Sequence, residues 1–436
     1  MKNNNPTPLF TVIIPAKDRA YYLEQTLRTC SLQDYKNLEI IVSDDGSIDD
    51  TKKIVEEAAQ RDVRIRYVSP GKNVGMRDNF EYALSQVKPG YVLALGADDG
   101  LLPYGISGMN ALLQSTGKKM LSWQAPLFTY PGINSESGQL ALYAKKGRIQ
   151  RGFKIVKSRD FLERQIKHLH YLSDVESPMF YVKGVVSTEL VDRVKSRSPE
   201  GRFYVCSTPD GYSGIVLAGE VDEYAFSYEP FSIYGLSPSS QGQNYLSGKE
   251  EAKKNSESFF KNAAGVPMHR ELASQPYSPL ITLMTVDYLL TARDLSGWAD
   301  MPFKINYRDV IVKSIGELKN GLWSQDKVSR ELAIVYEIAS LHNLETLFNE
   351  TVERTTRDVR SPLAGNAISS KMIFIDATHL GVKNIFDAAY AAYSAHKIFP
   401  ELGIGIFKSF IYNSFLYWRQ GKKIGDRFPD RSKWRV

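Results

Sequence analysis

The chain has 436 residues, 43% hydrophobic and 24% charged, which is enough to bury a full core and fits two domains better than one. Its net charge of +6 is a modest excess, and with no recognition module in the sequence it argues against a nucleic-acid partner. Cys30 and Cys206 lie far apart with no metal-ligand spacing around them, which argues against a disulfide framework and a zinc site and leaves two reduced core thiols.

The N-terminus, MKNNNPTPLF, has neither an apolar core nor a small-residue cleavage site, so the expected compartment is the cytoplasm. The first hundred residues alternate strand-like and helix-like segments. FTVIIPA, LEIIVSDD, IRYVS and YVLALGADD are short apolar or β-branched runs ending in small, polar or turn-forming residues. Helices are expected over Tyr22 to Leu32, Asp50 to Ala59 and Met76 to Ser85, the second with acidic groups crowding its N-terminus. Crossovers that return each strand in the same direction gather the strand ends on one side, where open α/β sheets place ligands. Pro15 to Arg19, Asp44 to Ser47 and Asp98 to Asp99 are therefore expected near one another.

From Leu101 to Ser240 the pattern is less regular, as expected of the second half of a mixed sheet with acceptor-side loops. Beyond Gly248 the composition shifts to helical segments. PLITLMTVDYLLTA is apolar but carries Asp287 and falls short of the roughly 18 uninterrupted apolar residues that a membrane span needs. DKVSRELAIVYEIASLHNL sets Val328, Leu332, Val335 and Leu341 at helical spacing, and IFDAAYAAYSAHKIF repeats the pattern with smaller residues. The expected architecture is an α/β domain over residues 1–245, followed by a helical domain over 246–436. From Lys408 the tail holds eight Lys/Arg against two Asp, interleaved with Phe, Tyr and Trp. That mixture suits an anionic membrane surface, and equally a solvated terminal helix whose aromatic side docks on its own domain.

The chemistry-bearing signal is the doubled aspartates placed directly after strands. Asp44 and Asp45 precede the Gly46-Ser47 turn, and Asp98 and Asp99 precede Gly100. Carboxylates there can accept from a nucleobase or ribose, or share a divalent cation with a diphosphate. The bland reading is a pair of Asp-Gly turns. His168 and His170 stand two apart and point in different directions on a helix, so they are not a metal pair. GQNYLSGK lacks the spacing and the hydroxyl of a phosphate-binding loop.

TVIIPAKDRAYYLEQTLRTCSLQDYKNLEIIVSDDGSIDDT, then GKNVGMRDNFEYAL, then YVLALGADDGLLP resemble, in order and spacing, the nucleotide-sugar-binding half of glycosyltransferase family 2, which has the GT-A fold, a Rossmann-like mixed sheet flanked by helices. The resemblance covers about the first 105 residues. It implies an inverting transfer from a nucleotide-diphosphate sugar, with Pro15, Lys17, Asp18, Asp44 and Asp45 lining the nucleoside pocket and Arg77 and Asn79 beside the donor. It also implies Asp98 on ribose or metal, and Asp99 on a Mg or Mn ion bridging the diphosphate. Asp18 stands where the family usually has Asn, and Gly96 where a further Asp often precedes. Gly235, in YGLSPSSQGQN, takes the place of a frequent His, leaving Ser239 and Gln241 as polar groups near the pyrophosphate.

Transfer to a hydroxyl needs a base. The position similar to the family's base is Asp210, in FYVCSTPDGYSGIVLAGE, at an expected helix start whose backbone donors favour a carboxylate. The alternative for Asp210 is an ordinary helix cap, and Glu176 and Asp222 are reserves. The resemblance further implies a glycan or lipid-linked glycan acceptor in surface polysaccharide assembly, lipopolysaccharide or capsule, at the inner face of the plasma membrane. Two other readings compete: a nucleotidyltransferase, which would carry a basic Gly-rich loop where this chain has PAKDRAYYLEQ, and a noncatalytic nucleotide-sugar-binding or assembly module.

Overall fold

The computed structural model describes residues 7–398, apart from 134–135, 146–147, 199, 241–244, 246–256, 258, 320–322, 359–365 and 370, together with the backbone of 424–427. Four strands open the chain, β1 (Phe10–Ala16), β2 (Leu38–Asp44), β3 (Ile65–Val68) and β4 (Tyr91–Ala94), joined by α1 (Ala20–Ser31), α2 (Thr51–Arg61) and α3 (Met76–Ser85). They pair in parallel in the order β3-β2-β1-β4. Val12 stands beside both Ile40 and Leu93, so β-branched and apolar runs buried on both faces meet side by side. After β3 the chain crosses to the far side of β1. The reversal of strand order leaves a crevice between the ends of β1 and β4, where such sheets take ligands.

The middle of the chain completes the sheet and starts a second. Its elements are β5 (Gly100–Leu101), α4 (Gly105–Thr116), β6 (Met120–Trp123), β7 (Leu127–Thr129), β8 (Gln139–Tyr143), β9 (Phe153–Lys157), α5 (Ser158–His168), β10 (Gly184–Ser187), α6 (Thr188–Arg197), α7 (Asp210–Ala218), β11 (Glu223–Ser227) and β12 (Ser232–Leu236). β10 runs antiparallel between β4 and β6, β11 lies parallel to β6, and β9 closes the eight-stranded mixed sheet. β12 crosses to the second sheet, pairing with β5 and β7, and so carries residues 234–237 past the end of β4.

The remaining elements are α8 (Ile281–Arg293), α9 (Tyr307–Glu317), α10 (Gln325–Leu341), α11 (Glu345–Arg354), β13 (Thr356–Asp358), β14 (Ala367–Ile368), β15 (Met372–Asp376), α12 (Ile385–Ile398) and β16 (Ile424–Arg427). α8 is apolar almost all round because it lies inside, between α7 and α9. Val328, Leu332 and Val335 are buried on α10 as their spacing predicts, whereas Leu341, at the helix end, is half exposed.

The chain is mainly helical from α8 through α11 among the described residues and then returns to the first half. β15 pairs with β8, and α12 packs on α1 with the Arg28 guanidinium 4.1 Å over the Phe386 ring. One apolar cluster runs from Ile13 and Ile41 to Val328 and Phe348. The basic aromatic stretch from Lys408 lies outside the described residues, except for the backbone of β16. Among the described residues, no helix is long and apolar enough to cross a membrane.

Candidate active site

Most of the strand-end carboxylates are occupied by the protein itself. Asp44 accepts from the Ser47 amide (2.9 Å) and the Tyr67 hydroxyl (2.7 Å). Asp45 accepts from the Val74 amide (2.6 Å) and the Gly75 amide (3.1 Å), tying the turn after β2 to the start of α3. Desolvation raises its pKa above the usual carboxylate range, against the pull of those amides and of Lys17. Asn79 is buried and exchanges two hydrogen bonds with Ser43 of β2. Pro15 pairs with Ser43 at the end of β1. Asp18 has a left-handed backbone, φ +50°, a conformation that Asp and Asn both tolerate, so Asp serves where the resemblance expects Asn. Its Oδ1 accepts from the Ile48 amide at 2.8 Å. Arg77 donates to the neighbouring Asp78, which Arg202 also reaches.

The turn after β4 is different. The Thr26 hydroxyl of α1 stands 2.8 Å from the Ala97 carbonyl and 2.6 Å from that of Asp99, fastening the turn to the helix. Asp99 is buried and turned back into the fold, with Oδ1 accepting from the Gly235 amide (2.8 Å) and Oδ2 from the Gly96 amide (2.7 Å). Burial, with the charge of Asp98 beside it, pushes its carboxyl well above the ordinary range.

This arrangement explains two glycines. A Cβ at position 96 would stand 2.6 Å from both Asp99 Oδ2 and the Tyr181 hydroxyl, and one at position 235 would stand 1.7 Å from the Asp98 carbonyl oxygen. Neither place has room for the Asp or His that the resemblance allows there. Asp98 keeps a sliver of exposed surface. Its Oδ2 accepts from the hydroxyls of Ser237 (2.6 Å) and Ser240 (3.0 Å), and Oδ1 lies beside Gly96. In YGLSPSSQGQN, then, Ser237 and Ser240 reach the carboxylate directly. Ser239 contributes its carbonyl to Arg19, and Gln241 lies outside the described residues.

Asp210 is the first residue of α7. Its Oδ2 accepts from the Tyr171 hydroxyl at 3.0 Å, while its buried Oδ1 has no hydrogen-bond partner. Desolvation raises its pKa, opposed by hydrogen bonds at the helix start and from Tyr171. Tyr181 feels the charges of Asp99, Asp98 and Asp210, and Tyr234 those of Asp99 and Asp210, so Asp210 and the turn after β4 share one cleft. The reserves stand elsewhere. Glu176 is spent on Lys154 and Arg164. Asp222 precedes β11, at the end of the sheet away from the turn after β4, where its carbonyl accepts from the Ser158 amide. Tyr171, Tyr181, Tyr234, Ser237 and Ser240 belong to the site although no motif marked them; the Ser-rich run after β12 was the one local hint.

A divalent cation fits this donor set in one way. Among the described residues no three His, Cys, Asp or Glu side chains gather to hold a metal. Hard cations that sit with nucleotides take one or two carboxylates and fill the rest of their shell with phosphate and water oxygens. Asp98 can supply such an oxygen, with Asp99 directly behind it.

The glycosyl transferase family 2 model matches residues 11–155. A Campylobacter jejuni protein named GalNAc(5)-diNAcBac-PP-undecaprenol beta-1,3-glucosyltransferase is 39% identical over 101 residues, 23% of this chain and 33% of that protein. Chondroitin synthase of Escherichia coli is 32% identical over 96 residues, 22% of this chain and 14% of that one. The match to the first of these relatives spans about a third of its length. Among solved structures, residues 1–349 of S. aureus TarS with UDP are 14% identical, with a TM-score of 0.43, over 81% of this chain and 97% of that one. The stretch of this chain that is similar to glycosyl transferase family 2, residues 11–155, is the one that holds the parallel unit and the aspartate turn after β4.

Proposed function

We propose that the chain is an inverting glycosyltransferase that moves a sugar from a nucleotide-diphosphate donor to an acceptor hydroxyl, with Asp210 as general base. The observation that carries this reading is Asp210 Oδ1, a buried carboxylate oxygen without a partner in the same cleft as Asp98. Tyr171 holds Oδ2 and thereby aims Oδ1, the atom that takes the acceptor proton as the new bond forms. One base is what a single in-line displacement requires. The nucleoside lies along the ends of β1 and β2, near Pro15, Lys17, Asp18, Asp44 and Asp45, with Arg77 and Asn79 beside the donor. Asp45 and Asn79 act there by holding backbone. Asp98, backed by Asp99, would hold a Mg or Mn ion, and that ion, when bound, neutralises charge on the departing diphosphate.

The acceptor in this proposal is a glycan carried on a lipid at the inner face of the plasma membrane, in assembly of a surface polysaccharide such as lipopolysaccharide or capsule. Two things support it: the undecaprenol-linked glycan in the Campylobacter relative's name, and the basic aromatic composition from Lys408. Flotation with anionic vesicles, before and after deletion from Lys408, tests the membrane part.

The site is tested by calorimetric titration of UDP with and without Mn. Native protein should bind in a Mn-dependent way, and Asp98→Ala should lose that dependence. Absence of binding to UDP, GDP, CMP and dTDP alike would sink the donor assignment. Transfer that persists in Asp210→Asn would sink the base.

A further inference from the structure

A divalent cation on Asp98 neutralises only part of the charge on a departing diphosphate, so a basic side chain belongs beside it. Arg77, which the resemblance puts near the donor, is already engaged, ion-paired with Asp78 at 2.9 Å. The charge of Lys17 acts on Asp45, beside β2. Arg19 is placed differently. It lies between the end of β1 and the start of α1, half-buried, and among the described residues no carboxylate pairs with it.

Its guanidinium bridges the crevice between the ends of β1 and β4. On the β1 side Nη1 donates to the Asp18 carbonyl at 3.2 Å, and across the crevice Nη2 donates to the Ser239 carbonyl. Ser239 sits in a turn closed by the Ser240 amide on the Ser237 carbonyl at 3.0 Å. The hydroxyls of Ser237 and Ser240 in that turn are the groups that meet Asp98 Oδ2. Arg19 therefore reaches the backbone of the turn that holds Asp98. Tyr22, one helical turn further on, feels the charges of both.

Two of the five N–H donors of Arg19 are used, both on neutral carbonyls, and the other three have no partner among the described residues. A guanidinium never gives up its charge in a protein, so this one stands at the crevice without a counterion.

We propose that Arg19 is a binding residue for the donor's diphosphate, its planar fork taking phosphate oxygens that the cation on Asp98 does not. Charge-assisted bonds to phosphate are stronger than the carbonyl bonds that they join or replace. As the sugar departs and charge grows on the diphosphate, a fixed cation there stabilises it without a proton transfer. The inference rests on the glycosyltransferase reading and adds to it the residue that meets the leaving group.

Calorimetry of the full chain with UDP, with and without Mn, reads the diphosphate, and saturation-transfer NMR with uridine reads the nucleoside. Where native protein takes GDP or dTDP instead, that nucleotide and its nucleoside replace the pair. In Arg19→Met, which keeps an apolar stem, UDP affinity should fall about 30-fold with uridine binding unchanged. The ratio of UDP affinities with and without Mn should stay within about threefold of native, because Asp98 is untouched. Arg19→Lys keeps the charge but not the fork, and should bind UDP about fivefold more weakly than native.

Native UDP affinity in Arg19→Met overturns the proposal, as does a loss that uridine shares equally. A loss seen only in the presence of Mn also overturns it, since Arg19 would then act solely by holding the turn at Asp98. If Arg19→Met does not fold, the contrast between UDP and uridine in Arg19→Lys decides. Native protein that binds no nucleotide would instead remove the glycosyltransferase reading, and this inference with it.

Discussion

The turn after β2 and the cleft between β4 and α7 both hold buried aspartates, and the two regions use them in opposite ways. Asp45 spends both oxygens on backbone amides, and Asp44 spends its own on Ser47 and Tyr67. In the cleft, Asp99 is spent in the same manner, but Asp210 keeps one oxygen free and Asp98 is held by two exchangeable hydroxyls. The same side chain is thus scaffold in one place and reagent in the other. The difference lies in its donors: a backbone amide locked in a turn cannot leave, whereas a serine hydroxyl can rotate away.

The largest effect expected from this contrast is at Asp210. Asp210→Asn should lower kcat by about 10³, within the range for loss of a general base, while leaving UDP affinity and the thermal midpoint near native. Because burial raises the pKa of Asp210, kcat of the native enzyme should fall as pH drops through that raised value, and the variant should lack that limb. A stopped assay across pH, with the donor that titration identifies, reads both.

Next comes the contrast between neighbours. Asp98→Asn should abolish Mn-dependent nucleotide binding in calorimetry at little cost in stability, since an Asn side-chain oxygen can still accept from the Ser237 and Ser240 hydroxyls. Asp45→Ala should do the reverse. It strands the Val74 and Gly75 amides and should cost about 2–3 kcal/mol in urea unfolding. If Asp45→Ala left stability unchanged, the division into scaffold and reagent would fail.

The smallest effect concerns Asp287 on α8. Its Oδ1 accepts from the His269 amide at 2.7 Å, and burial raises its carboxyl to about 7. A folded-state pKa above the unfolded one stabilises the fold at low pH, and that contribution is lost as pH rises from about 4 through 7. Asp287→Asn keeps the acceptor without the charge. It should be neutral near pH 4 and stabilise the protein on the order of 2 kcal/mol at pH 8, as read by thermal unfolding at the two pH values.

Much of the donor half was legible in the sequence. The runs Phe10–Ala16 and Leu38–Asp44 are strands and Met76–Ser85 is a helix as their patterns predict, because parallel strands and their crossovers are coded by local periodicity. YVLALGADD was legible only in part. The strand stops at Ala94, and the following residues turn so that Asp99 can face inward. Leu341 kept the helical period but fell at the helix end, where one face no longer meets a partner. The return of residues 367–398 to β8 and α1 carried no local signal, since small apolar residues suit any well-packed interface.

By itself the sequence determined that the first strands run parallel and therefore that one side collects Pro15, Asp44 and Asp98, whereas their order across the sheet came from the structure. That follows from alternation and crossover handedness, which act over a few residues. Only the tertiary structure decided which carboxylate oxygens stay free. Asp99 is closed by an amide 136 residues away and Asp98 is held by a hydroxyl 139 residues away. Asp210 Oδ1 is left buried without a hydrogen-bond partner, an outcome of packing between distant segments that no local pattern encodes.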